Sequence, residues 1–97
     1  MATYIVLANY TSQGIKAIKD SAKRLEAAKK LMKAHGVKLL AWYLTIGKYD
    51  LVFVLEAPSS KVLAKFMLTL TSRGNITSNT LRAFPEAEYR SIIKSLS

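Results

Sequence analysis

The sequence predicts an α+β domain with the element order β-α-β-β-α-β, a four-stranded antiparallel sheet in the order 4-1-3-2, and a short C-terminal helix. Three observations predict it. Runs rich in β-branched and aliphatic residues alternate with runs of helical periodicity. A glycine-first pair, Gly47-Lys48, separates two adjacent strand-like runs. Two β-α-β halves joined in this way close most simply with both long helices on one sheet face. With 97 residues, 51% of them hydrophobic and 22% charged, the chain reads as one domain over 1–97 with one core.

Thr3 to Asn9 forms the first strand, and Thr11 or Ser12 caps the helix after it. In that helix Ile15, Ile18, Ala22, Leu25, Ala28 and Met32 step by three or four residues along one buried stripe. It ends at His35-Gly36, where glycine takes the left-handed cap and the imidazole meets the terminal carbonyls.

Val37 to Ile46 and Tyr49 to Glu56 are the second and third strands. A two-residue turn at Gly47-Lys48 sets Ile46 opposite Tyr49. Leu44 with Leu51, Trp42 with Phe53 and Leu40 with Leu55 then share the core face, because opposed residues point the same way. The other face carries Thr45 with Asp50, Tyr43 with Val52, Ala41 with Val54 and Leu39 with Glu56. Its middle is too apolar for water and calls for a covering subunit.

Pro58 opens the second long helix, whose stripe is Val62, Leu63, Phe66 and Leu70 before Arg73-Gly74-Asn75 breaks it. Ile76 to Phe84 is the fourth strand. Pro85 starts the last helix, with Tyr89, Ile92, Ile93 and Leu96 placed to pack down and Glu86 and Glu88 near its positive end. In the first strand Ile5 and Leu7 suit the helices, which assigns Tyr4, Val6, Ala8 and Tyr10 to the open face.

Composition excludes several chemistries. Without cysteine there is no disulfide, thiolate metal site or thiol nucleophile, and one histidine gives little basis for a metal centre. No metal and no cofactor are expected. No apolar run approaches the ~18 residues of a membrane span, and the start is not a signal peptide, so no membrane partner and a cytoplasmic location are expected. The net charge of +9 points toward anionic partners. Lys16, Lys19, Lys23, Lys30 and Lys33 fall at helical spacing, however, and read as a solvated helix face.

The candidate binding residues lie toward the start of the third strand. Asp50 begins that strand at the end of the open face assigned to Tyr10, Tyr43, Thr45, Ser78 and Thr80. A partly buried carboxylate there can anchor a ligand or take a proton; alternatively it accepts hydrogen bonds from the turn. Trp42 reads as core beside Phe53, and the single Gly14 lacks the companions that a phosphate loop needs.

Gly47-Lys48-Tyr49-Asp50, Tyr10-Thr11-Ser12-Gln13-Gly14-Ile15, Glu56-Ala57-Pro58, Gly74-Asn75 and Thr80-Leu81-Arg82-Ala83-Phe84 together resemble the GYD domain family across nearly the whole chain. The resemblance implies a ferredoxin-like fold and a dimeric α/β-barrel assembly in which two sheets face one another; it implies no established reaction. The Gly-x-Tyr-Asp turn is also similar to that of ligand-sensing domains of the Lrp/AsnC type, which implies small-molecule binding at subunit contacts. The first expectation is therefore a homo-oligomeric module that holds a small molecule near its sheet-to-sheet interface. The second is a small cofactor-independent oxygenase or isomerase with Asp50 as base. The third is a weak, nonspecific nucleic-acid binder; no specific nucleic-acid partner is expected.

Overall fold

Thr11 has extended backbone and its Oγ1 accepts the Gly14 amide at 3.1 Å, so a helix begins where the first β-branched run stops. In the computed structural model, which describes residues 1–96, that run is β1 (Ala2–Tyr10). It is followed by α1 (Ser12–Lys16), a 3-10 turn (Ile18–Asp20), α2 (Ser21–His35), β2 (Lys38–Leu44), β3 (Leu51–Ala57), α3 (Ser60–Thr71), β4 (Ile76–Ala83) and α4 (Glu86–Lys94). The sheet is antiparallel in the order β2-β3-β1-β4, which is the expected 4-1-3-2. The α+β, ferredoxin-like architecture follows from this order with α2 and α3 on one face.

The expected first helix is broken. Ala17 leaves helical geometry at φ −105° and ψ 32°, and a single 3-10 turn carries the chain to α2. Arg24 fills the break: its guanidinium donates to the carbonyls of Ala17 at 2.6 Å and Gly14 at 3.2 Å. Carbonyls released from the helical ladder thus find donors. The first two members of the apolar stripe, Ile15 and Ile18, are exposed, and the packed part begins in α2 with Ala28 and Met32 buried. Gly36, at φ +71°, ends α2, and His35 Nδ1 donates to the Leu31 carbonyl at 2.9 Å.

Register fixes which side chains meet the helices. Tyr4, Val6 and Ala8 stand opposite Leu55, Phe53 and Leu51, and all six are buried. The facing expected for β1 is therefore reversed: Ile5 and Leu7, opposite Val54 and Val52, lie on the open face. Tyr4 can sit inside because its hydroxyl bonds to Ser60 Oγ at 2.7 Å. Phe53 and Phe66 are fully buried at the centre.

The hairpin follows the expected pairing from Leu44↔Leu51 to Ala41↔Val54, and then departs. Leu40 bulges out, so Leu39 rather than Leu40 stands opposite Leu55 and packs on the core. The turn is longer than two residues. Thr45 N donates to the Asp50 carbonyl at 2.8 Å and Thr45 Oγ1 to the Tyr49 carbonyl at 2.6 Å, so β3 starts at Leu51. Ser59 caps α3, accepting the Val62 amide, with Pro58 just outside the helix.

The C-terminal helix forms where expected but does not pack down. Every described residue from Phe84 onward is exposed, including Tyr89, Ile92, Ile93 and Leu96. The radius of gyration, 14.7 Å, exceeds the ~12.5 Å of a compact chain of this length.

Candidate functional site

The residues at the hairpin end are organised by Asp50. Its amide donates to the Ala8 carbonyl at 2.9 Å, and its Oδ2 accepts the Tyr10 amide at 2.9 Å. The carboxylate thereby extends the β3–β1 ladder by one step ahead of the first residue of β3. Asp50 and Thr45 are joined through the turn, and Tyr43 emerges nearby on the open face, 58% exposed.

The other expected site residues lie elsewhere. Ser78 and Thr80 stand opposite Ala8 and Val6, hence on the helix side of β4, where they are exposed. The Tyr10 ring also turns to the helix side, and its hydroxyl meets Ser21 Oγ at 3.0 Å. The six residues do not share one face, because the reversed facing of β1 carries Ser78 and Thr80 with it through the antiparallel pairing.

Tyr10 instead helps to line a cleft of about 90 Å³ between the sheet and the ends of α2 and α3. Its walls are mainly Tyr10, Leu25, Trp42, Leu51, Leu70 and Ile76, with Arg24 and Arg73 also lining it. Trp42 stacks on Phe53 with ring centroids 4.5 Å apart and planes at 17°, which holds the indole in place. Arg24 is half-buried, and two of its five N–H donors serve the Gly14 and Ala17 carbonyls. Among the described residues it has no ion-pair partner: the ion pairs there are Lys29–Glu26 and Arg90–Glu86. An apolar cleft with a cation lacking an anionic partner suits a small molecule that joins an aliphatic group to an acid.

Sequence reasoning missed this cleft. Trp42 reads from the sequence as core beside Phe53, and Arg24, the one arginine in α2, stands outside the lysine pattern that the sequence singles out. The lysines behave as expected: Lys16, Lys19, Lys23, Lys30 and Lys33 are all exposed. No group of three metal-ligating side chains occurs among the described residues, and no helix among them is long and apolar enough to cross a membrane.

Gly14 shapes the neighbouring corner. It is buried against β4's entry, where a Cβ would lie 2.2 Å from the Asn75 carbonyl oxygen. Thr11 Oγ1 donates to the Gly74 carbonyl at 2.6 Å, and Gln13 Nε2 donates to Arg73 O and Asn75 Oδ1, each at 3.0 Å. The glycine serves close approach of two backbones rather than a phosphate.

The open face presents Ile5 and Leu7 from β1, Val52 and Val54 from β3, Ala41 and Tyr43 from β2, and Leu81 from β4. No element among the described residues lies across it, and Tyr43 and Leu81 are the most exposed of the set.

Comparison with known proteins agrees with this architecture. The chain is 37% identical over 89 residues to a Thermus thermophilus protein named glutamine synthetase and cystathionine beta-lyase binding protein, covering 91% of this chain and 94% of that one. Among solved structures it resembles a feast/famine regulatory protein from M. tuberculosis complexed with L-methionine, at a TM-score of 0.66 and 13% identity. That match covers 87% of this chain, which spans 50% of the regulator's length. A hypothetical protein from Pyrococcus horikoshii matches at a TM-score of 0.57 and 23% identity, covering 89% of this chain and 93% of its own. These two likenesses concern the fold alone. The family model of the GYD domain matches residues 4–93, and the chain belongs to the GYD domain family.

Proposed function

We propose that the protein is a homo-oligomeric binding module in which two copies cover each other's open sheet faces, leaving the cleft at the Asp50 end for a small ligand. The observation that carries this reading is the uncovered row Ile5, Leu7, Val52 and Val54 in the middle of the sheet. Branched aliphatic residues on one face of a four-stranded sheet gain roughly 25 cal/mol for each Å² removed from water. A specific dimer removes about 1,200 Å² or more in total.

The Thermus relative's name supports a binding role over a catalytic one, and makes other proteins, enzymes among them, candidate partners for the assembled module. Asp50 acts in this reading as a positioning residue. Its Oδ2 holds the Tyr10 amide, and Tyr10 lines the cleft.

Light scattering at micromolar concentration tests the assembly. The expected species is a dimer or a multiple of it, and Val52→Lys should weaken it while leaving the isolated fold intact, since Val52 contributes to the open face and not to the core. A wild-type chain that remains monomeric overturns the reading.

A further inference from the structure

The strand order puts β2 and β4 on opposite edges of the sheet. β4 ends beside the start of β1, where Ala83 stands opposite Thr3. The β2–β3 hairpin lies at the other end of β1, where Leu51 pairs with both Ala8 and Leu44. The departure point of α4 and the hairpin tip therefore occupy diagonally opposite corners.

Each corner carries apolar surface that the chain itself leaves bare. On α4, Tyr89, Ile92 and Ile93 recur at i, i+3 and i+4, the spacing of one helix stripe, Leu96 follows just past the helix end, and none of the four is buried. At the hairpin, Leu44 is 74% exposed and Ile46 is fully exposed, with Leu40 pushed outward by the bulge. A helix of 9 residues is too short to be stable alone in water, so α4 needs something to lie against.

Strands about 4.8 Å apart, rising roughly 3.3 Å per residue, make the sheet about 19 Å wide and about 23 Å long over its seven-residue strands. Such a sheet is nearly square. When two copies stack face to face about a two-fold axis along the other diagonal, the α4 corner of each comes over the hairpin corner of the other. The strands of the two sheets then cross at near right angles, a recognised mode of sheet packing.

From this placement we infer that α4 is a clamp: in the face-to-face dimer it lies on the hairpin tip of the second copy, with Ile92 and Ile93 against Leu44 and Ile46. The inference rests on the dimer proposed above and goes beyond it by assigning the arm a seat. Charge agrees with that seat. α4 carries Glu88 in its first turn, beside Glu86 that already pairs with Arg90, and the hairpin presents Lys48, which lies over the Tyr49 ring and has no ion-pair partner among the described residues. A membrane surface fits less well, because Glu86, Glu88, Arg90 and Lys94 sum to zero and supply no basic collar for anionic lipid.

The 97-residue chain contains no cysteine, so the seat can be tested in it by cross-linking. Chains bearing Ile92→Cys are mixed with chains bearing Ile46→Cys and oxidised. The expected product is the mixed dimer, joined arm to hairpin; cross-linking confined to Ile92→Cys with itself overturns the clamp. In parallel, the double variant Ile92→Glu, Ile93→Glu should raise the dimer dissociation constant roughly tenfold or more, with Trp42 emission unchanged. An unchanged dissociation constant sinks the clamp and leaves the sheet-to-sheet dimer standing, whereas a monomeric wild-type protein sinks both.

Discussion

Asp50 and Tyr10 are 40 residues apart, yet the carboxylate of one accepts the backbone amide of the other at 2.9 Å. The contact closes the last rung between β1 and the hairpin and fixes where the Tyr10 ring enters the cleft. Removing the acceptor leaves a half-buried amide without its partner, so Asp50→Ala should cost about 1–2 kcal/mol in denaturant unfolding. Asp50→Asn retains an oxygen acceptor and should cost less. Equal stability for Ala and wild type would remove the structural role from Asp50.

Gly14 should tolerate no side chain. With a Cβ placed 2.2 Å from the Asn75 carbonyl oxygen, Gly14→Ala forces α1 and the start of β4 apart. The loss should reach about 2 kcal/mol, which is a fall of roughly 8–16 °C in Tm for a domain of this size. Thermal unfolding followed by circular dichroism measures it.

Trp42 is the only tryptophan and forms part of the cleft wall, so its fluorescence reports on occupancy directly. The cleft's volume, about 90 Å³, falls below the ~150 Å³ that accommodates a benzene ring, and favours a short branched aliphatic acid over an aromatic one. Titration with such acids should shift Trp42 emission saturably, and Arg24→Gln should weaken the response by an order of magnitude, since it removes the unpaired guanidinium. If aliphatic alcohols of the same shape act as well as the acids, the guanidinium has no part in recognition.

Nucleic acid should bind weakly and without sequence preference. The lysines of α2 lie exposed along a helix, and Lys29, Lys33 and Lys38 border a shallow groove beside β2, but no base-reading element accompanies them among the described residues. Affinity for duplex DNA should fall steeply between low and physiological salt. A complex that survives physiological salt and selects one sequence would contradict this expectation.

The elements and their order were legible in the sequence because each strand and helix shows its own period, and the hairpin register was legible as far as Ala41. The facing of β1 was not. Ile5 and Leu7 are as apolar as Val6 and Ala8, so alternation carries no contrast between faces when both faces are apolar; only the pairing of Val6 with Phe53 decides it. The break at Ala17 was hidden for a related reason. Ile15, Ile18 and Ala22 keep helical spacing through the 3-10 turn, while the donor that stabilises the break, Arg24, lies a full turn or more downstream. The turn was misjudged by its glycine: Gly47-Lys48 fits two residues, but Thr45 closes the loop earlier through its amide and hydroxyl. Asp50, Thr45 and Tyr10 belong to one end of the molecule as expected, with the Tyr10 ring on the helix side.

The bulge at Leu40 also limits how copies of this chain can join. A regular outer strand offers its free amides and carbonyls to any similar strand, and sheets that keep both borders regular grow sideways into fibrils. Here the β2 border is interrupted at Leu40, while the β4 border is lined with Thr77, Ser78, Asn79 and Thr80 and stops at Pro85, which has no amide to give. With lateral growth discouraged at both margins, the face-to-face pairing proposed above would end in closed particles rather than filaments.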